Sequence, residues 1–167
     1  MSIDVIIRGY RPDDYDACRA LWAELTEWHR RIYGDPDIGG PDPGAHFAPH
    51  LAKVGGDNLW VAVHEDAVIG LTGLMGEGDE AEVEPAVVSE PYRGRGVGRM
   101  LMETVIAEAR DRGVKFLSVR PVARNVEAIR FFVDRGFTNV GHIELFIDFT
   151  DRQWREGLDL TNLKLKY

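Results

Sequence analysis

Cysteine is almost missing from this chain: Cys18 stands alone among 167 residues, so no intrachain disulfide can form and no cysteine zinc cluster can assemble. Long apolar runs are missing too, and nothing approaches the roughly 20 residues that span a bilayer as a helix. The start, Met1 to Arg8, has no basic segment followed by an apolar stretch and does not read as a secretory signal. These absences lead to the expectation of a cytoplasmic protein with no membrane partner. Positive charge is in short supply, since 20 Lys and Arg against 28 Asp and Glu give a formal net charge of −8. A general nucleic-acid binder needs the opposite balance to displace counterions from phosphates, so no nucleic-acid partner is expected and a cationic small partner suits better. An apolar content of 44% excludes global disorder, and the length fits one domain with its own core.

What is present reads as alternating strands and helices. Val5 to Arg8 has strand composition, and Pro12-Asp13-Asp14 places proline and acids where a helix start favours them. Leu21, Trp22, Leu25 and Trp28 then recur at helical spacing. Gly34 to Gly44, rich in Gly, Pro and Asp, reads as a mobile loop, followed by a short helix around His46 to Val54. Leu59 to Val63 and Val68 to Leu74 form a hairpin about His64-Glu65-Asp66, and Val83 to Val88 is a further strand. Leu101, Met102, Val105, Ile106 and Ala109 trace a helix over Gly96 to Arg112, stopped by Gly113. A strand over Lys115 to Val119 follows, then a helix capped by Asn125 and closed by Gly136. Val140 to Phe149 returns to strand composition. The order predicts an α+β fold (an α/β sandwich), a mixed, mostly antiparallel twisted sheet with helices on both faces.

The sharpest chemical signal is Val88-Ser89-Glu90-Pro91-Tyr92-Arg93-Gly94-Arg95-Gly96-Val97-Gly98-Arg99, lying between a strand and an amphipathic helix. Three glycines at alternate positions clear side chains from the backbone, so successive amides and the positive end of the helix can face one anion. A P-loop string is absent, and a dinucleotide fingerprint would need glycine where Arg99 stands.

These residues resemble the GNAT superfamily of N-acetyltransferases. The family's Arg/Gln-x-x-Gly-x-Gly/Ala hallmark is matched by Arg93-Gly94-Arg95-Gly96-Val97-Gly98, and its second block by Asn125, Ala128, Phe132, Gly136 and Phe137. The likeness follows element order from Val5 to Phe149 and is strongest over residues 82–137; residues 1–167 are expected to form a single N-acetyltransferase domain with 150–167 a C-terminal extension. The resemblance implies acetyl-CoA as cosubstrate, its pyrophosphate held at Arg93, Gly94, Arg95, Gly96, Val97, Gly98 and Arg99. Its pantetheine arm would pair with Ala86, Val87 and Val88 like an added strand, where the fourth and fifth strands splay apart. Asn125 and Phe132 would lie near the cofactor, and a homodimer is a further expectation from the family.

An alkylammonium with a pKa of about 10.4 must lose a proton before it attacks, a handicap of about 4–5 kcal/mol at pH 7. Glu82 and Glu84 alternate along one strand and project to one face, and the resemblance points to Glu84 as the base. The family often carries a tyrosine that protonates the departing thiol; Phe132 stands there instead. A thiol with a pKa near 8.5 leaves tolerably as thiolate without it. Trp28, His29 and Tyr33, with Asp35, Asp37 and Asp42, lie where the family borders its acceptor, and aromatic faces with carboxylates suit a cationic amine. His46 and His50 are four apart with no third ligand, so no metal site is expected. No Ser or Cys nucleophile with a partnering base is visible, which predicts direct transfer to a primary amine of a small cationic molecule. A protein amine as acceptor, or a non-catalytic acyl-CoA sensor, are the alternatives. Leu163, Leu165 and Tyr167 alternate and suggest an edge or inter-subunit strand.

Overall fold

A computed structural model describes residues 3–149, 151 and 154; the alternation at Leu163, Leu165 and Tyr167 lies outside them. The chain divides into two compact units, residues 1–120 and 121–167. In the first, the strands are β1 (Ile6–Gly9), β2 (Leu59–His64), β3 (Ala67–Met75), β4 (Glu80–Val88) and β5 (Phe116–Ser118). The helices are α1 (Tyr15–Tyr33), α2 (Phe47–Val54) and α3 (Val97–Asp111). The second unit holds α4 (Val126–Val133).

The sheet runs in the order β1-β2-β3-β4-β5. Neighbours are antiparallel through β4, and β5 joins β4 in parallel. The fold is therefore the mixed α+β sandwich expected, with helices on both faces. Successive strand residues point to opposite faces, and β2 shows the division. Val61 is buried in a cluster with Cys18 and Leu21 of α1 and Phe47 and Val54 of α2. Ala62, the next residue, is buried with Val97 and Leu101 of α3. The same alternation sends Val87 to the first cluster and Val88 to the second.

Local chemistry accounts for the element ends. The β2–β3 hairpin turns on Glu65 and Asp66 at φ 48° and 65°, a left-handed pair that matches strand twist. The acids after Pro12 act differently from the simple dipole expectation. Pro12–Asp14 is one 3-10 turn, and the buried Asp14 carboxylate accepts two hydrogen bonds from Arg8, at 2.7 and 2.8 Å, and one from the Arg11 amide. The first strand is thus tied to the start of α1, and the Arg8 guanidinium holds the Asp14 carboxyl below its usual range.

The loop reading of residues 34–44 gains detail, and one expectation needs correction. Residues 34–44 form a turn-rich segment pinned by side chains. Arg30 donates to the carbonyls of Ile38 and Gly40, Arg19 pairs with Asp42, and the Gly44 amide donates to the Asp42 carboxylate. The strand expected over Val140–Phe149 is absent: residues 141–149 carry no regular element. Leu145, Ile147 and Phe149 are 89%, 77% and 92% exposed, so apolar composition here finds no face to bury against among the described residues. Strand composition describes a fit to a half-buried pleated surface, and without that surface it does not specify a strand.

Candidate active site

The site is built on β4 and the loop that follows it. On one side β4 is laddered to β3 through Val88, with Gly70 opposite Val88 and Thr72 opposite Ala86. On the other side, β5 pairs only with Glu80, Ala81 and Glu82. From Val83 to Val88 the second edge of β4 has no strand partner among the described residues. Ala86, Val87 and Val88, the residues expected to meet the pantetheine arm, all lie on that open stretch.

Between Thr72 and Leu74 the β3–β4 register shifts, so that two residues of β4, Glu84 and Pro85, stand against Gly73. A side chain at Gly73 is excluded by close approach: a Cβ there would lie 2.5 Å from the Glu84 carbonyl oxygen and 2.6 Å from Leu59. A bulge of this kind re-aims the side chains it carries. Glu82 lies opposite Met75, which packs on the α1–α2 cluster, so Glu82 projects to that side. Two-residue alternation takes Glu84 to the same side, where its charge and backbone carbonyl act on the His50 ring of α2. Both glutamates therefore share one side of the sheet. Glu82 is engaged by Arg120 at 3.4 Å.

Sequence reasoning weighed His50 only as a metal ligand, but the structure places it near Glu84. It is buried, its ring lies 4.8 Å from that of Trp22, and its Nε2 has no hydrogen-bond partner among the described residues. Burial is the largest influence on it and holds its pKa below the usual value, against the opposing pull of Glu84. The available signal was positional: Phe47, His50 and Val54 share the buried face of α2, so a histidine occupies a core position. His46, by contrast, is exposed. Among the described residues, no three His, Cys, Asp or Glu side chains gather as a metal site.

After β4 the chain makes a 3-10 turn at Glu90–Tyr92 and enters α3 through Gly94 and Gly96, at φ 72° and 88°. Gly96 is the N-cap of α3 and offers no side chain to its amides. The helical ladder begins with Met100 donating to the Gly96 carbonyl at 3.1 Å. Among the described residues the amides of Gly94, Arg95 and Gly96 make no close backbone hydrogen bond, and those of Val97 to Arg99 lie in the first turn of α3, where a helix start has no internal acceptors to offer. Val97 is buried and anchors the turn, whereas Gly94, Arg95, Gly96 and Arg99 are exposed and Gly98 is half-buried. A Cβ built on Gly94 or Gly96 meets no heavy atom within 4 Å, so the backbone faces open space. Exposed amides, the positive helix end and the Arg95 and Arg99 guanidinium groups fit a diphosphate.

Arg93 is placed differently. Its Nε donates to the Val88 carbonyl at 2.9 Å and its Nη2 lies 3.5 Å from the Glu24 carboxylate, so the guanidinium braces the loop to α1. Trp28 lies in the same brace, with Arg31 5.1 Å and Arg93 5.3 Å from its ring centroid. His29 is half-buried on α1, and burial lowers its pKa; Tyr33 is the last residue of that helix. In the second unit, the Asn125 side chain accepts from the Ala128 amide at 3.2 Å and caps α4. Phe132 is buried against Phe131 and Phe137 at centroid distances of 5.4 and 5.8 Å.

Residues 22–137 match the Acetyltransferase (GNAT) family, and the chain belongs to that family. An uncharacterised protein of Mycobacterium leprae is 31% identical over 142 residues, which cover 82% of this chain and 35% of that protein. The chain spans less than half the length of the curated relatives it matches. Among solved structures, a transcriptional regulator from Bacillus halodurans C-125 superposes with a TM-score of 0.67 at 21% identity, covering 87% of this chain and 100% of that one. An aminoglycoside N-acetyltransferase solved with CoA superposes with a TM-score of 0.65 at 16% identity, covering 90% of this chain and 98% of that one.

Proposed function

We propose that this chain is a single acetyltransferase domain that moves the acetyl group of acetyl-CoA directly onto a primary amine of a small cationic molecule. The observation that carries this reading is a pair of open stretches on either side of the braced turn at residues 89–93: among the described residues the edge of β4 over Val83 to Val88 has no partner strand, and the loop beyond Arg93 faces open space as it enters α3. An extended amide-bearing arm suits the first part and a diphosphate the second, in the order in which they occur in coenzyme A. Family membership supports the same cosubstrate. The cytoplasm is the setting this reading favours, and no described helix is long and apolar enough to cross a membrane.

Glu84 is the base. It takes the proton from the ammonium, directly or through water, as the amine attacks; forming the neutral amine at pH 7 costs about 4–5 kcal/mol. The freed amine attacks the thioester carbonyl, the C–N bond forms, the C–S bond breaks, and the second amine proton leaves with the thiolate or solvent. No enzyme-bound acetyl intermediate is needed. Cys18, the one thiol, is fully buried, and burial pushes it up to about 12, which leaves it neither exposed nor ionised. The net charge of −8 and the carboxylates on the α1–α2 side support a cationic acceptor.

Glu84→Gln tests the reading. Turnover should fall about a hundredfold at pH 7, with acetyl-CoA affinity kept, and the deficit should shrink as pH approaches the amine pKa. A second reading, an acyl-CoA sensor without turnover, is favoured by Phe132 and by the transcriptional regulator among the structural neighbours. A parent protein that binds acetyl-CoA but releases no thiol with polyamines, aminoglycosides, amino acids or peptides would establish the sensor instead.

A further inference from the structure

We infer that Glu24, Trp28 and Arg31 on α1, together with Arg93, form a clasp that shapes the coenzyme loop, making them positioning residues for the cosubstrate. The inference rests on the acetyl-CoA reading above and reassigns Trp28 from the acceptor pocket.

The 3-10 turn at Glu90–Tyr92 starts at Ser89, which supplies no side-chain cap. The missing acceptor comes from α1: the Glu90 amide donates to the Glu24 carboxylate. The same carboxylate lies 3.5 Å from Nη2 of Arg93, and Arg31 reaches the Glu90 carboxylate at 3.3 Å. Trp28 sits among these charges with both guanidinium groups within 5.3 Å of its ring centroid. Arg93 closes the arrangement by donating through Nε to the carbonyl of Val88, the last residue of β4.

Three side chains spaced over about two turns of α1, with one loop arginine, thus hold residues 88–93, immediately before the glycines at 94 and 96. Those glycines have left-handed backbone and no neighbour near a would-be Cβ, so nothing on their own side chains restrains the loop. The restraint is imposed upstream. Individually the pairs are weak: Arg31 and Glu90 are 52% and 59% exposed, and exposed pairs are screened. Acting together on one short segment, they reduce the conformational freedom that coenzyme binding must otherwise remove.

A double-mutant cycle over Glu24→Gln and Arg93→Lys, read by calorimetric titration with coenzyme A, tests the clasp. Each single variant should weaken binding about tenfold, and the pair together should be scarcely weaker than either alone, because both open the same device. Trp28→Ala should weaken coenzyme binding comparably, with Trp28→Phe restoring most of it through the retained ring. Folded variants with parental coenzyme affinity overturn the clasp, as do losses that multiply in the double variant. A rise in amine KM for Trp28→Ala without a change in coenzyme affinity also overturns it and returns Trp28 to the acceptor pocket. A parent protein that does not bind coenzyme A sinks the function proposed above instead, so the two failures are distinct.

Discussion

Gly96→Val separates the loop's role in binding from its role in folding. Gly96 sits at φ 88° with no heavy atom within 4 Å of a built Cβ, so a side chain there costs backbone energy without a clash. Left-handed backbone costs an L-residue about 1–2 kcal/mol, which for a chain of this size lowers the melting temperature by about 2–8 °C. Binding should suffer more, because the new side chain enters the open space faced by the amides of residues 94–99. Loss of one hydrogen bond to a charged group is worth about 1.5–3 kcal/mol, or roughly 10- to 150-fold in affinity. Gly113→Val is a matched control: φ is 78°, the space is equally open, and it follows the far end of α3. At 1.5 Å per residue the two glycines are about 25 Å apart. Both variants should lose similar thermal stability, measured by calorimetric melts, while titration with coenzyme A should show a loss for Gly96→Val alone. Equal affinities, or equal losses in both, would refute the assignment of the pyrophosphate to this loop.

Two further outcomes concern pH and stability. Asp14→Asn removes a buried carboxylate from a bidentate arginine and should cost about 3 kcal/mol in denaturant unfolding. Because the folded Asp14 pKa is lowered, its stabilisation in the parent is present above about pH 4 and is lost as pH falls through the folded value; the variant's stability should be flatter there. His50 has the same sign for a different reason, since burial lowers its folded pKa and the unfolded chain takes up a proton first. Parental stability should decline as pH falls below about 6.5, His50→Phe should flatten part of that slope, and His29 should account for part of the remainder. An unchanged slope in the His50 variant would contradict the burial argument.

The parts legible in the sequence were those whose causes are local. Asn125 caps α4 because its side chain reaches an amide three residues ahead. The hairpin closes at Glu65-Asp66, and the loop before α3 declared itself by its glycine spacing together with its arginines and the helix start that follows. The parts that were not legible depend on distant partners. Trp28 continues the apolar stripe of α1 in sequence, yet its neighbours are guanidinium groups, one of them Arg93 from the loop beyond β4. His50 differs from a solvated helix histidine because α2 docks it into the core, where burial dominates and the distant Glu84 acts against it. Residues 34–44 have loop composition, but their order comes from Arg30 and Arg19 on α1. Val140 to Phe149 has strand composition without a described partner strand, and composition cannot supply one.

The open edge of β4 requires a cause as well as a use, since an unpaired strand edge invites further pairing. Parallel pairing with β5 ends at Glu82 and Ser118, where the Ser118 hydroxyl donates to the Ala81 carbonyl and Arg120 meets the Glu82 carboxylate. Two residues farther on comes the bulge, where Glu84 and Pro85 stand against Gly73. Proline has no amide hydrogen for another rung, and a bulge bends its strand and increases the local twist. Both effects act where β4 parts from β5, and among the described residues the edge has no strand partner through Val88, whose carbonyl accepts from Arg93. The bulge begins at Glu84, whose charge and backbone carbonyl act on the buried His50 of α2. Gly73 permits the bulge by letting the Glu84 carbonyl approach closer than any Cβ would allow. One local irregularity thus lies where β4 parts from β5 and also carries Glu84, so the proposed binding edge and the proposed base are neighbours on one strand.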